Sequence, residues 1–225
     1  MLDYNEFYLT LVRHGQSTTN QNPDLMGQEA DTPLSEHGKH QAELLGKRLA
    51  KTERTIDYVW SSTYTRAYDT AIISLMNVAH SHNPVQVPEL REYSAGDWTG
   101  ASREDTLTDA VKVRMGMMAH GFLPPKGESL HQVSRRASQW LEETIVYNKE
   151  IQLDAQALRA RKERPLNIFC FSHGMTIKCL LHYIMGFDQS FTWKVTIENT
   201  SMSRLYFGKD GWRLLSINDH AHLTP

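Results

Sequence analysis

Leu11-Val12-Arg13-His14-Gly15-Gln16-Ser17 ends an apolar run that begins near Phe7, and its reading decides the fold. A short apolar run bounded by polar residues predicts a buried strand. A basic residue, a histidine and a glycine then stand where that strand opens into a loop. Open α/β sheets hold their ligands at this end of a strand. Arg13 offers a rigid fork of donors that fits a phosphate or carboxylate. His14 can serve as base, metal ligand or nucleophile near neutral pH. Gly15 lets an anion approach the backbone because no Cβ stands in the way.

Working outward, the chain alternates strand and helix patterns. A polar loop over residues 16–33 leads to Ser35, a helix N-cap, and a helix to about Ala50 with Ala42, Leu45 and Leu49 on one face. Residues 57–60 read as a second strand ending at Ser61-Ser62, and the following helix is expected to carry Ala67, Ala71, Ile72, Leu75 and Met76 toward the core. Residues 85–90 form a third strand, placed at an edge or made irregular by Pro84 and Pro88. Residues 91–131 are rich in glycine and proline, with one helical piece over 103–119. Residues 130–148 are helical, and 149–164 either prolong that helix or form an exposed connector. Residues 166–171 are the clearest buried strand, followed by Ser172-His173-Gly174 and a helix over 175–185. Residues 203–217 form a hairpin about Gly208-Lys209-Asp210-Gly211. The alternation predicts an α/β fold of three layers, α/β/α, with a mainly parallel central sheet. No repeat or linker interrupts it, so residues 1–225 read as a single domain with an irregular lid or insert at 91–131.

With 225 residues, 22% charged and 40% hydrophobic, the chain has the balance of a soluble globular protein. A formal net charge of -2 argues against nucleic acid as a partner. No apolar run is long enough to span a bilayer, and the first residues lack the pattern of a signal peptide. Cys170 and Cys179 do not make a disulfide framework; both read as buried packing residues, and the expected location is cytoplasmic.

Two strands end alike, at Arg13-His14-Gly15 and at Ser172-His173-Gly174. Parallel strands place such ends on one edge of the sheet, so His14 and His173 are expected to face one cavity. Arg66 lies one helical turn past the strand that ends at Ser61-Ser62. Two arginines, two histidines and a helix N-terminus make a cage for a dianionic phosphoryl group. Turnover needs a nucleophile and a proton donor besides. A neutral imidazole supplies the first, and surrounding arginines oppose its protonation. Glu92, just past a strand, supplies the second, with a carboxyl pKa raised by the bound phosphate.

These pieces resemble the histidine phosphatase superfamily, the phosphoglycerate mutase-like family. Its signature R-H-G-[EQ]-[ST] matches Arg13 to Ser17, with Asn20 at the downstream asparagine. The likeness runs on through residues 32–38, Ser61-Ser62, Arg66-Ala67, Thr70, 90–98, Lys126-Gly127-Glu128-Ser129, Ser172-His173-Gly174 and the tail around Asn199 and Asn218. It implies the phosphoglycerate mutase-like fold, with His14 as a transient phosphohistidine held by Arg13, Arg66 and His173. Glu92 would act as general acid and then base, and Asn20, Gly27 and Gly174 would contact the substrate. No cofactor and no metal are implied, since cationic side chains take the metal's place.

The implied activity is hydrolysis of a phosphomonoester of a small metabolite, of the sugar phosphate or bisphosphate class. The stretch 27–35 looks most like the branch holding fructose-2,6-bisphosphatase-type and broad-specificity phosphatases. A cofactor-dependent phosphoglycerate mutase is the alternative, but such enzymes usually carry "ERHYG" where this chain has Glu92-Tyr93-Ser94-Ala95-Gly96. A phosphoprotein phosphatase or binding module of the same fold is a third reading, and self-association as a homodimer is left open. Two departures stand out: Met175 replaces a common second glycine after Ser-His-Gly, and Thr99 replaces a common glutamate. The H-x-H pairs His80/His82 and His220/His222 lack partners at metal-ligand spacing and read as solvated loops. Met115, Met117 and Met118 read as a packing patch, Trp140 and Leu141 as core. Arg103, Arg114 and Lys126 lie in the segment that could close over the site.

Overall fold

Strand β1 (Phe7–Arg13) forms because every second side chain finds an apolar layer on each side of the sheet. Phe7, Leu9 and Leu11 point into one core cluster and Val12 into the other. The computed structural model describes residues 6–18, 22, 24–27, 30–53, 55–80, 83–161 and 163–224. It contains a six-stranded sheet in the order β3-β2-β4-β1-β5-β6, where β2 is Tyr58–Ser62, β3 Val85–Val87, β4 Leu166–Ser172, β5 Met202–Gly208 and β6 Gly211–Asp219. The pairs β1/β4, β2/β4 and β2/β3 are parallel. The pairs β1/β5 and β5/β6 are antiparallel, so the sheet is mainly parallel, as expected, with the expected hairpin joined at one edge. β3 sits at the other edge and gives way at Pro88 to a 3-10 turn, Pro88–Leu90, as the prolines require.

Helices α1 (Glu36–Thr52) and α2 (Thr65–Leu75) cover one face, where Leu45, Leu49, Ala71 and Leu75 meet Val59, Phe169 and Phe171. On the other face, α5 (Leu130–Leu141), α6 (Lys149–Ala160) and α7 (Gly174–Met185) bury Ala137, Trp140, Ile151, Ile177 and Leu180 against Ile168 and Cys170. β4 is buried along its whole length, as a strand covered on both faces should be. Both cysteines are buried and free.

Ser35 caps α1, its hydroxyl accepting from Gly38 N–H at 3.0 Å. The segment over 149–164 is neither a prolongation nor a bare connector. α5 runs into a π-helical turn, Glu142–Val146, and Asn148 then caps the separate helix α6. The expectation for α2 needs a correction. Ala67, Ala71 and Leu75 form the buried stripe, whereas Ile72 and Met76 are 39% and 74% exposed. Each lies one position, about 100° of helix rotation, off that stripe.

Between β3 and α5 run the short helix α3 (Arg103–Thr106) and helix α4 (Asp109–Met118). α4 buries no residue. Met117 and Met118 are exposed rather than packed, which overturns the packing-patch expectation, and Met115 faces a cavity. A last helix, α8 (Phe191–Lys194), precedes β5. Among the described residues no helix is long and apolar enough to cross a membrane.

Candidate active site

The register of the sheet assembles the site. β1 pairs with β4 so that Arg13 lies opposite Ser172, and His14 N–H donates to Ser172 O at 3.0 Å. The next residues, His14 and His173, are therefore neighbours, with ring centroids 5.0 Å apart at 57°. β2 pairs on the far side of β4 and ends at Ser62, whose Oγ lies 2.8 Å from His173 Nε2. α2 starts three residues later and turns Arg66 back over His14.

His14 is fully buried, and its tautomer follows from its partners. The Arg66 Nε–H can only donate, and it meets His14 Nε2 at 3.2 Å. The ring's proton therefore sits on Nδ1 and is donated to Gly15 O at 2.6 Å. Burial, then Arg66 and Arg13, hold the His14 pKa well below the ordinary histidine value. The ring is neutral at pH 7, with its lone pair on Nε2. The His173 pKa is depressed likewise, by burial first, then by the neighbouring His14 ring and the Arg66 and Arg13 guanidinium groups. His173 Nε2 is engaged by the Ser62 hydroxyl, and its Nδ1 is a buried atom without a partner among the described residues.

Backbone oxygens help to hold both arginines. Arg66 Nη1 donates to Ala30 O at 2.8 Å, and Arg13 Nη1 donates to Ile197 O at 2.6 Å. Arg13 Nε is buried without a partner among the described residues. Burial lowers the pKa of both, although a guanidinium stays charged at neutrality. Fixed positive charge thus surrounds a neutral imidazole, the arrangement that stabilises an incoming dianion.

Glu92 follows the 3-10 turn after β3 and reaches the N-terminus of α7. Its carboxylate accepts from Met175 N–H and Thr176 N–H, both at 3.3 Å, and from Tyr93 N–H at 2.9 Å. The loop is fixed there by Ser172 Oγ donating to Leu90 O and Thr176 Oγ1 donating to Arg91 O. Arg136 binds it from behind, donating to Glu92 O at 3.3 Å and to the Glu128 carboxylate at 2.9 Å.

Arg13, Glu92, Gly27 and Gly174 open onto a cavity of about 470 Å³. Gly27 has φ +74°, a conformation that favours glycine. A Cβ on Gly174 would stand 3.5 Å from Arg13 Nε, so the glycine keeps that guanidinium face uncovered. Arg103 also lines the cavity, whereas Lys126 turns away to Asp97 at 3.3 Å. Asn20 lies outside the described residues, and so does His82. His80 pairs with Ile56 through an isolated β-bridge. His222 is no solvated-loop residue: its Nε2 lies 2.9 Å from Thr200 Oγ1.

Several groups here escape a reading of the sequence alone. Thr70 Oγ1 accepts from Gly15 N–H at 2.9 Å, and Asn199 Nδ2 donates to His14 O at 2.8 Å. Thr200, at φ +56°, donates its N–H to Arg13 O at 3.0 Å. Together they clamp the backbone that carries Arg13 and His14. Lys178, one turn along α7 from Gly174, also lines the cavity. Spacing on a helix could have pointed to Lys178; nothing in the sequence marks the partners of the others.

A histidine cage with two arginines at the carboxyl edge of a parallel sheet defines a protein built to hold phosphoryl groups. The profile of the histidine phosphatase superfamily (branch 1) matches residues 9–220, and the chain belongs to that family. It is 36% identical over 138 residues to the fructose-2,6-bisphosphatase TIGAR of Xenopus tropicalis, covering 60% of this chain. The match spans about half of that relative, 49% of its length. Over 220 residues it is 28% identical to a protein of Yersinia enterocolitica named "Probable phosphoglycerate mutase GpmB", covering 95% of this chain and 93% of the relative. Among solved structures, the mycobacterial glucosyl-3-phosphoglycerate phosphatase with VO3 superposes with a TM-score of 0.71 at 26% identity, over 94% of this chain and 98% of that one.

Proposed function

We propose that this protein is a phosphatase that hydrolyses a phosphomonoester of a small metabolite, a sugar phosphate or bisphosphate among them, through a phosphohistidine. The observation that carries the reading is the neutral, fully buried His14 with its Nε2 lone pair beside Arg66. Binding of the substrate dianion draws the Arg66 guanidinium onto the phosphoryl oxygens and frees Nε2. Arg13 Nε and His173 Nδ1, both without partners among the described residues, supply further donors to those oxygens. Nε2 forms a bond to phosphorus as the ester P–O bond breaks, and protonated Glu92 gives its proton to the leaving alcohol oxygen. Glu92, now a carboxylate, takes a proton from water, whose oxygen bonds to phosphorus as the P–N bond breaks. Phosphate leaves and His14 is neutral again.

Most of the rate enhancement comes from fixed donors facing charge that develops on the phosphoryl oxygens. Those donors do the work a metal ion does elsewhere, so activity is expected to survive a chelator. Residues 91–131 form the lid that sets specificity, with the whole chain as one catalytic unit in the cytoplasm. The likeness to GpmB over nearly the whole chain supports a mutase as the second reading. Phosphate release from a panel of phosphomonoesters, alongside interconversion of 3-phosphoglycerate and 2-phosphoglycerate with catalytic 2,3-bisphosphoglycerate, separates the two. Rapid phosphate release with slow interconversion is expected; the reverse overturns the hydrolase reading.

A further inference from the structure

The cavity beside the phosphoryl cage has walls of unusual chemistry for a site that takes a phosphate. Tyr93, Trp98, Met115, Phe122, Met175 and Trp193 make up much of its lining. Trp98 and Phe122 are stacked at 5.6 Å with 30° between their planes. Among the lining side chains of the described residues, the uncharged groups able to hydrogen-bond a hydroxyl are the hydroxyls of Tyr93 and Thr196 and the donor-only indole N–H groups of Trp98 and Trp193. A polyhydroxylated body would lose more hydrogen bonds to water here than these few groups, two of them single donors, restore. An apolar face of a substrate body, by contrast, gains from each aromatic or thioether wall it covers.

Within this apolar chamber stands one half-buried ammonium. Lys178 lines the cavity, and it makes no ion pair or hydrogen bond among the described residues. Its nearby acid, Glu92, is already engaged by the amides of Met175 and Thr176. Burial, and then the charge of Arg13, lower the Lys178 pKa, so the ammonium gains from a fresh anion. Lys178 sits four residues after Gly174 on α7, about 6 Å along the helix axis. A second anion reaching it therefore lies about one aromatic ring beyond the phosphoryl seat.

We infer that Lys178 selects small phosphomonoesters that carry a second anionic group, a carboxylate or another phosphate, on a body with an apolar face. This rests on the phosphatase reading above for where the phosphoryl group sits, and it narrows the substrate class given there, favouring bodies with an apolar face over polyhydroxylated sugars. A charge-assisted hydrogen bond at a half-buried site is worth roughly tenfold in affinity.

The test compares phenylphosphonate with 4-carboxyphenylphosphonate by calorimetry on the full chain, as wild type, Lys178→Met and Lys178→Arg. The carboxylate ligand should bind about tenfold more tightly to wild type and to K178R, and equally with its parent to K178M. Equal binding of the two ligands to wild type overturns the inference, as does an unchanged preference in K178M. In parallel, phosphate release is measured from phenyl phosphate, 4-carboxyphenyl phosphate and glucose 6-phosphate. A kcat/KM for glucose 6-phosphate above that of phenyl phosphate overturns the apolar body. If none of the esters releases phosphate while the binding preference behaves as stated, the hydrolase reading falls and the anion subsite stands.

Discussion

At the scale of single residues, the site depends on keeping an imidazole uncharged among cations. Arg66 Nε fixes the lone pair of His14 Nε2, and Gly15 O fixes its proton. In the proposed mechanism the Arg66 fork matters as much as its charge, because it turns from the histidine to the phosphoryl oxygens. Arg66→Lys keeps a cation but loses the fork, and kcat should fall by about 10²-fold or more, with the melting temperature little changed, in a phosphate-release assay. Ser62→Ala removes the hydroxyl beside His173 Nε2 and should lower kcat by about tenfold, the value of one hydrogen bond to a site that must hold an anion. A kcat at the wild-type level would remove Ser62 from the account. The nearness of these groups was legible because Arg13 ends β1 and His14, Arg66, Glu92 and His173 each follow a strand end at a short interval. Ser62 and Thr70 also lie in matching stretches, but their hydrogen bonds to His173 and Gly15 span 111 and 55 residues. No local pattern encodes such a pairing. Asn20 falls outside the described residues, so its part is not placed.

At the scale of elements, the site loop is pressed directly against the start of α1. A Cβ on Gly38 would stand 2.0 Å from Gln16 O, and one on Gly15 would stand 2.5 Å from Gly38 O. Backbone meets backbone there, with Ser35 and Gln41 also binding Gln16. Gly38→Ala should cost about 1–3 kcal/mol in urea unfolding, as overpacking does, and should impair turnover by moving the segment after His14. An unchanged unfolding midpoint would contradict this close packing. The strands and the α1 cap were legible from apolar runs and Ser35. The faces of α2 were not, because a run of apolar residues does not say which of Ile72 and Met76 fall outside the stripe. The break between α5 and α6 was hidden for a related reason: the π-helical turn carries no Gly or Pro to announce it.

At the scale of the whole molecule, the histidines make stability depend on pH. His14, His120, His173 and His222 are all held below the ordinary value, each by burial first and then by neighbouring cationic or histidine groups. His222 is lowered to about 4. An unfolded chain takes up protons at these residues below about pH 6.5, whereas the folded chain refuses them. Their contribution is complete above about pH 6.5 and is lost as the pH falls toward the folded values. The melting temperature should therefore be nearly level from pH 8 to 7 and drop steadily toward pH 5, and His222→Asn should flatten the drop. A level profile down to pH 5 would contradict the buried, neutral histidines. The three-layer plan and the mainly parallel sheet were legible from alternation; the partner of β5 was not, because hairpin chemistry at 208–211 does not say which strand β5 joins.

The central claim is a covalent bond between His14 and phosphorus. The direct measurement is rapid quenching of the protein with a turning-over phosphomonoester, followed by mass-spectrometric mapping of acid-labile, base-stable phosphate. One phosphorylated histidine is expected, at His14, absent in His14→Ala together with phosphate release. A label at another residue, or undiminished phosphate release by the His14→Ala protein, would contradict it.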